Sequence, residues 1–273
     1  RFYLNIWKHF VPENMSLTPY RMLIVGAGLT ASVTSSMIKQ HLPSESVEVH
    51  VWEKSRGIGG RMNTNRSPDG QATVDLGAQY ITKIDKYAEK HKKFFDDLVQ
   101  AEILKPFPGK IEGASVGNDS EHFMAPNGIN TVVKHFFNLS DAKVKLSTHC
   151  EKIDFCHNEA TSKQLWTVTA KDGSSENFHG IILTLPVRQI MQLAGTLQGC
   201  LKNHRSSLDQ VEYSSRYALA LYFSKEAQVD MPWTAKYVND HPCIRFVCVD
   251  SVKRGTDLSK SCPSILVHTS VPF

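Results

Sequence analysis

The sequence predicts an α/β fold, with a doubly wound, Rossmann-like nucleotide domain and an interleaved mixed-sheet (α+β) domain. Three observations predict it. A glycine-rich turn joins an apolar strand to a helix at residues 22–31, a second strand ends at the acid Glu53, and strands outnumber helices after residue 143. Early alternation of strand and helix is typical of a parallel sheet, whereas a later run of strands favours a separate mixed sheet.

The first strand covers the apolar residues 22–25 and leads directly into the Gly26-Ala27-Gly28 turn. Gly26 permits a sharp bend, and Gly28 lets a ligand approach the backbone because it has no Cβ. Ala31 occupies the third position of the G-x-G-x-x-G/A motif, where a small residue allows close packing of helix on strand. The helix N-terminus that follows favours a pyrophosphate, so the segment predicts dinucleotide binding.

Two further features strengthen this interpretation. The second strand, 47–53, ends at Glu53, where an acid accepts hydrogen bonds from ribose hydroxyls and disfavours a 2′-phosphate. In the following loop, Gly60 permits another close approach of backbone to ligand, and Arg61 can present a planar fork to a phosphate. A nicotinamide dehydrogenase needs no second clamp of this kind, so the pattern favours a permanently held dinucleotide such as FAD.

Periodicity predicts the remaining elements. The first helix is expected to bury Leu29, Val33, Met37 and Ile38. A second helix is predicted over 85–104, with Tyr87, Phe94, Phe95 and Leu98 on one face. A third should follow Pro126-Asn127-Gly128 and bury its apolar residues Ile129, Val132, Val133, Phe136 and Phe137. The late strands are predicted at 165–170, 179–186, 217–223, 244–249 and 265–271, with a polar helix at 198–210.

We assign the nucleotide domain to residues 21–82 and 123–190, and the substrate domain to residues 83–122 and 191–273. Residues 1–20 are expected to form an extension outside the fold, and they contain no recognisable signal peptide.

Composition excludes several function classes. Hydrophobic residues make up 41% of the chain and charged residues 21%, which is typical of globular proteins. The net charge of +4 is too small and too scattered to predict nucleic-acid binding, and no apolar run is long enough to span a membrane. Cysteines and histidines show no metal-ligand spacing, so we expect no metal site and reduced thiols, which favours the cytoplasm.

A G-x-S-x-G pattern at 113–117 lies in a polar loop and does not favour a hydrolase.

Segments 22–30, 51–54, 59–62 and 75–82 resemble the renalase family, a branch of the flavin amine-oxidase superfamily. So do later segments, at 182–187, 213–219, 242–247 and 267–273. The resemblance implies noncovalent FAD and oxidation of the 2- and 6-dihydro isomers of NAD(P) to NAD(P)⁺, with O₂ reduced to H₂O₂. The family has a further Gly- and Asp-rich segment that returns to the FAD domain. The resemblance therefore implies that a chain ending at Phe273 is a fragment or a form that binds flavin poorly.

The resemblance also implies roles for single residues. Thr30 would contact the phosphates, Glu53 the adenosine ribose and Arg61 the phosphate–ribose region. Gln79 and Tyr80 would lie against the flavin end. Cys150 falls where the superfamily holds adenine through the backbone. The predicted cofactor-binding set is therefore Gly26, Gly28, Thr30, Glu53, Gly60, Arg61, Gln79, Tyr80 and Cys150.

No catalytic acid–base pair is found, and a dihydropyridine, already a strong hydride donor, requires none. The substrate-pocket candidates are Arg216, Tyr217, Arg245 and His268, which lie on or beside late strands. Two other functions stay open. One is a flavin monoamine oxidase acting on catecholamines, and the other is a noncatalytic secreted signalling protein, for which the resemblance allows an extracellular location. The sequence predicts no oligomeric state.

Overall fold

The computed structural model describes residues 19–114, 120–158, 163–257 and 261–273. The helices are Leu29–His41 (α1), Asp85–Gln100 (α2), Asn130–Asn138 (α3), Val187–Ile190 (α4), Leu197–Leu201 (α5), Arg205–Asp209 (α6) and Asp250–Lys253 (α7), with a 3₁₀ turn at Lys202–His204. The first nine strands are Tyr20–Val25 (β1), Val47–Trp52 (β2), Thr64–Arg66 (β3), Thr73–Asp75 (β4), Ile81–Lys83 (β5), Lys105–Pro106 (β6), Ile111–Glu112 (β7), Glu121–Met124 (β8) and Lys143–Lys145 (β9). The others are Cys150–Asn158 (β10), Lys163–Ala170 (β11), Ser175–Phe178 (β12), Gly180–Leu183 (β13), Ala218–Tyr222 (β14), Ala235–Tyr237 (β15), Ile244–Val249 (β16) and Ser264–Thr269 (β17).

These elements form two compact units. The first unit contains residues up to 57 together with 137–211, and the second contains 58–136 together with 212–273, in each case as far as the structure describes them. The assignment of nucleotide and substrate domains to the ranges proposed from the sequence stays a prediction.

The first unit is built on a four-stranded parallel sheet in the order β13-β1-β2-β9. Its core joins this sheet to the antiparallel sheet β10-β11-β12 through buried side chains that include Leu23, Trp52, Ile153 and Phe178. The predicted parallel, Rossmann-like α/β architecture is confirmed. Parallel pairing aligns the last residues of β1 and β2, Val25 and Trp52, at one edge, and ligands of such sheets bind at the carboxyl ends of the strands.

The buried face of α1 differs from the prediction. Leu29 and Met37 are exposed, and the buried residues are Ala31, Ser32, Ser35, Ser36 and Ile38. Small side chains allow the helix to pack closely on its unit. The serine hydroxyls are satisfied within the helix, since Ser35 Oγ donates to the Ala31 carbonyl at 2.8 Å. Of the four predicted residues, Ile38 is buried and Val33 is half-buried, so the periodicity of large apolar residues identified only part of the buried face.

Later helices agree with the prediction in part. All five predicted apolar residues around α3 are buried. Helix α2 ends at Gln100 rather than at 104, because Glu102 adopts a positive φ of 55°. Of its predicted face, Leu98 is buried but Tyr87 is 41% exposed. The polar helix predicted at 198–210 is divided into α5, the 3₁₀ turn and α6.

The second unit is built on a five-stranded sheet in the order β14-β17-β16-β15-β7, in which only the β15–β7 pair is parallel. Its core contains Val74, Ala235, Phe246, Cys248 and Leu266. Strands β14, β16 and β17 match predicted strands within a few residues. Strand β15 is only three residues long, so it escapes a search for alternating patterns.

The predicted extension falls mostly on residues 1–18, which lie outside the described residues; Tyr20, however, belongs to β1 and pairs with Val47. Of the G-x-S-x-G pattern at 113–117, Ser115 and the two residues that follow it also lie outside them. Within the described parts of the chain, no helix combines the length and apolar character needed to cross a membrane.

Candidate functional site

Gly26 forms the bend between β1 and α1. Its φ of +99° is a value that side-chain-bearing residues rarely adopt, and a Cβ there would stand 2.9 Å from Thr184 Oγ1. The Thr184 hydroxyl is itself fixed, because it donates to the Val25 carbonyl at 2.9 Å. The turn predicted from the glycine motif therefore depends on the absence of a side chain at this position.

Gly28 has a different role at the start of α1. Its backbone is extended, with φ −90° and ψ −171°, and no described residue lies within 4 Å of the position that a Cβ would take. The first turn carries no acidic residue and, among the described residues, no side chain caps it. Free N–H groups and the positive end of the helix dipole therefore face an open space, which suits a phosphate. Thr30 is exposed on this turn.

The Glu53 carboxylate lies beside the glycine turn. Its Oε2 accepts a hydrogen bond from the Ala27 N–H at 2.8 Å, and its Oε1 accepts one from the Ser55 N–H at 2.8 Å. Each carboxylate oxygen keeps a lone pair for further donors. The acid predicted from its spacing thus lies next to the bend at the carboxyl end of the parallel sheet.

A cavity of about 410 Å³ opens at the same edge of the first unit. Val25 and Trp52, the last residues of β1 and β2, line it together with Cys150 and Leu185. Burial raises the pKa of the Cys150 thiol to about 11, so the thiol is neutral and unreactive at neutral pH. A neutral thiol is compatible with the backbone role of Cys150 that the resemblance implies.

In the second unit, the Gly59-Gly60-Arg61 loop leaves a guanidinium available. Gly59 and Gly60 have φ values of +132° and +57°, and a Cβ on Gly59 would stand 2.6 Å from the Met62 carbonyl oxygen. Arg61 is exposed, and among the described residues its side chain has no hydrogen-bond or ion-pair partner. An unpaired guanidinium on a tightly folded loop can bind a phosphate by donating hydrogen bonds to it, without first breaking an ion pair.

The segment that carries Gln79 and Tyr80 lies directly against this loop. The Ala78 N–H donates to the Arg61 carbonyl at 3.0 Å, and a Cβ on Gly77 would stand only 1.9 Å from that oxygen. Because Gly77 has no Cβ, its backbone can lie directly against that of Arg61. The loop with Arg61 and the segment with Gln79 and Tyr80 are therefore adjacent.

A second cavity, of about 460 Å³, brings together five of the residues singled out from the sequence. Its lining contains Gly77, Gln79, Tyr80, Arg216, Tyr237, Arg245, Phe246 and His268. Tyr237 and Phe246 were missed; Phe246 lies on β16, which was predicted, but nothing marked it as facing a cavity. Tyr217 is not among the described lining residues, and its ring lies against Phe273 at 6.3 Å while 71% exposed.

The charge of this second cavity is positive. Two of its lining residues, Arg216 and Arg245, are cations, and the described lining includes no carboxylate. Arg216 donates to the Thr269 carbonyl at 3.3 Å, and Arg245 bonds to the Asn239 side chain, so each keeps further N–H groups for a ligand. An anionic ligand would be attracted to this cavity, whereas a cationic one would meet two like charges.

His268 adds a neutral acceptor to the cavity. Its Nε2 lies 2.7 Å from the Leu76 carbonyl oxygen, which can only accept, so Nε2 carries the proton and Nδ1 is the acceptor. Burial lowers the pKa of His268, which keeps the ring neutral at neutral pH. Nearby, the hydroxyls of Tyr80 and Tyr237 share a 2.7 Å hydrogen bond, and burial, followed by that bond, raises the pKa of Tyr80.

A buried charge cluster contacts Gln79 through Lys253. Its members are Asp75, Asp250, Lys253 and Arg254. Lys253 Nζ pairs with Asp75 at 2.9 Å and Asp250 at 2.5 Å, and Arg254 Nη2 pairs with Asp75 at 2.7 Å. Burial alone would raise the pKa of Asp75, but Lys253 and Arg254 bring it below its usual value. Burial alone would lower the pKa of Lys253, yet the two aspartates raise it. The cluster therefore pairs two carboxyl groups with two cations, through ion pairs that are almost completely buried.

Asp75 also organises the surrounding backbone. Its Oδ1 accepts from the Ile129 N–H at 2.9 Å, just before α3, and from the Thr64 hydroxyl at 2.6 Å. A carboxylate here satisfies an otherwise unpaired N–H and complements the dipole of α3. The sequence signal for the cluster is the i, i+3 and i+4 spacing of Asp250, Lys253 and Arg254, which lie on α7 and at its C-cap.

Comparison with known proteins agrees with this architecture. Residues 24–98 match an NAD(P)-binding Rossmann-like domain. Two solved structures share the fold. One is a protein from Exiguobacterium sp. 255-15 described as a candidate protoporphyrinogen oxidase (TM-score 0.67, 13% identity, 94% of this chain and 78% of that one), and the other is a protein from Pyrococcus furiosus (TM-score 0.60, 14% identity, 92% and 79%).

A closer relative is the renalase of Mus musculus, which is 37% identical over 255 residues. The alignment covers 93% of this chain and 72% of the mouse protein. That similarity covers nearly the whole of this chain and therefore extends well beyond the glycine motif. The chain belongs to the renalase family.

Proposed function

We propose that the protein is an FAD-dependent oxidase that converts 2- and 6-dihydro isomers of NAD(P) to NAD(P)⁺, with O₂ reduced to H₂O₂. One observation carries the choice of substrate: the 460 Å³ cavity presents two arginines and aromatic side chains, and its described lining holds no carboxylate. A dinucleotide is an anion with a planar ring, and it fits this chemistry. A protonated catecholamine does not, because burying a cation beside two guanidiniums is unfavourable.

The first unit offers features that fit the adenosine and diphosphate portions of FAD. Such a ligand requires room for its phosphates, free N–H donors and an acceptor for its ribose hydroxyls. The open space at Gly28 and the uncapped turn that carries Thr30 supply the first two, and Glu53 supplies the third through its remaining lone pairs. The cavity beside Cys150 fits an adenine ring held by backbone groups. Gly60, Arg61, Gln79 and Tyr80 are proposed as further FAD contacts, from the family resemblance and from the unpaired Arg61 guanidinium.

The chemistry supplied by bound FAD is acceptance of a hydride and transfer of the electrons to O₂. The protein's own residues bind and orient the substrate. Arg216 and Arg245 would hold the diphosphate of the substrate, while Nδ1 of His268 can accept a hydrogen bond from its carboxamide. Because loss of hydride restores aromaticity to a dihydropyridine, stacking and exclusion of water suffice, and no general base is required.

A spectroscopic experiment tests the proposal. The purified protein is examined for a bound-flavin absorption band and then mixed anaerobically with 6-dihydro-NAD or with a catecholamine. Bleaching by 6-dihydro-NAD alone supports the proposed reaction. Bleaching by the amine alone would show a monoamine oxidase instead, and a colourless protein that responds to neither would favour the noncatalytic signalling function.

Alanine substitutions at Gly26 and Gly28 should have different effects, the first mainly on stability and the second mainly on cofactor binding. Gly26→Ala should lower the free energy of unfolding by about 1–3 kcal/mol, because its φ is strained and its Cβ meets Thr184. Gly28→Ala should cost about 1 kcal/mol or less, as alanine at an N-cap does. It should nevertheless weaken FAD binding about 10- to 100-fold, by blocking N–H contacts to phosphate. Urea denaturation and flavin titration measure the two effects.

Loss of a pocket arginine should weaken substrate binding. Arg245→Ala and Arg216→Ala should each raise KM for 6-dihydro-NAD about 10- to 100-fold, the value expected for a charge-assisted hydrogen bond, with kcat little changed. Steady-state oxidase kinetics would measure this. Arg205→Ala is the control, since Arg205 is exposed and, among the described residues, pairs with Asp209 four positions along the chain. Equal KM values for all three variants would contradict the role of the pocket arginines.

A further inference from the structure

Gln79 has a side chain held from three directions. Its Nε2 donates to the carbonyl oxygens of Asp75 at 2.5 Å and Gly77 at 2.9 Å, and its Oε1 accepts from Lys253 Nζ at 3.2 Å. Rotating the amide by a half turn would place Nε2 against the Lys253 ammonium, donor against donor, so only one orientation satisfies all partners. The side chain is 6% exposed and lines the cavity that contains Arg216 and Arg245.

Lys253 is the group on which this orientation depends. It is fully buried, it pairs with both aspartates of the charge cluster, and it is the cation of that cluster that also bonds Gln79. Arg254 pairs with the same two aspartates. Among the described residues, however, Arg254 makes no hydrogen bond to Gln79. The two cations therefore share a structural environment and differ in their link to the pocket.

We propose that Lys253 is a positioning residue for the substrate pocket and acts through Gln79. By donating to Oε1, it keeps the Gln79 carboxamide against the backbone of Asp75 and Gly77, in one fixed position on the cavity wall. The ammonium makes no contact with the substrate in this scheme; it sets the shape of the wall that the substrate meets. The inference rests on the proposed function, since the substrate is taken to be a dihydro-NAD(P).

Lys253→Met and Arg254→Met form a matched pair for the test, because each removes one buried cation from the same cluster. We expect Lys253→Met to raise KM for 6-dihydro-NAD about tenfold with kcat nearly unchanged, and Arg254→Met to leave KM near that of the unsubstituted protein. Calorimetric titration with NAD⁺, which needs no turnover, should show the same difference in Kd. Equal KM values in the two variants would overturn the proposal.

Gln79→Leu keeps the test decisive if Lys253→Met does not fold, because it removes the same hydrogen bond without removing a charge. It should raise KM to a similar extent, and an unchanged KM would overturn the proposal. Combined with Lys253→Met, it should add little further, since both act on one contact. If the unsubstituted protein oxidises no dihydro-NAD, the proposed function fails, whereas an active protein with unaffected variants refutes only the role of Lys253.

Discussion

Asp75→Asn should lower the free energy of unfolding by about 3–5 kcal/mol, the range measured when one partner of a buried ion pair is removed. The carboxylate is fully buried and faces Lys253 and Arg254. Asparagine has nearly the same shape, so the loss would come from charge and hydrogen bonding rather than from a cavity. Lys253 and Arg254 would share the single remaining acid, Asp250, and the cluster would carry an uncompensated buried charge.

The same carboxylate predicts a pH dependence. Its pKa is lowered in the folded state, so its contribution to stability is present above the unfolded pKa of about 4 and is lost as the pH falls below that value. Urea denaturation at pH 7 and in steps down to pH 3 would measure both effects. Asp75→Asn should flatten this part of the pH profile, because asparagine cannot take up the proton.

Asp96→Asn is the control for Asp75→Asn. Asp96 pairs with Lys92 at i, i+4 on the exposed side of α2, and such surface pairs contribute little. A similar loss of stability in both variants would mean that the effect is general to aspartate removal and would contradict a special role for the buried cluster.

The local part of the nucleotide motif could be predicted from the sequence. Residues 22–31 and Glu53 occupy the positions expected because a short turn, a strand and a helix are determined by neighbours in the chain. The apolar face of α3 was predicted for the same reason. The buried face of α1 was predicted only in part, since the close fit of the helix to its unit also selects small polar residues such as Ser32 and Ser35, which carry no apolar signal.

Features that depend on distant residues could not be predicted in this way. Asp75 and Lys253 are 178 positions apart, and the sequence around each residue does not indicate which residue it pairs with. For the same reason, the sequence suggested Arg216, Arg245 and His268 as single candidates but did not show that they share a cavity. Tyr217 was grouped with them because all four lie on or beside late strands, yet its ring lies against Phe273 and it is not among the described lining residues.

Gly77→Ala should be the most damaging glycine substitution in the second unit, with a loss of about 3 kcal/mol or more in the free energy of unfolding. The added Cβ would stand 1.9 Å from the Arg61 carbonyl oxygen and 2.8 Å from its carbonyl carbon. Both are backbone atoms, so no side-chain rotation can relieve the clash. Separation of the two segments would break the 3.0 Å hydrogen bond from Ala78 and shift the wall of the pocket.

Gly199→Ala provides a control with the opposite expected sign. Gly199 lies within α5, and no described residue is within 4 Å of where its Cβ would stand, so alanine should stabilise the protein by about 0.5–1 kcal/mol. A double variant, Gly77→Ala with Arg61→Ala, distinguishes the cause. It should be no more stable than Gly77→Ala alone, because the obstructing oxygen belongs to the backbone. Recovery of stability in the double variant would show that the Arg61 side chain, and not the close approach of the two backbones, limits the size of residue 77.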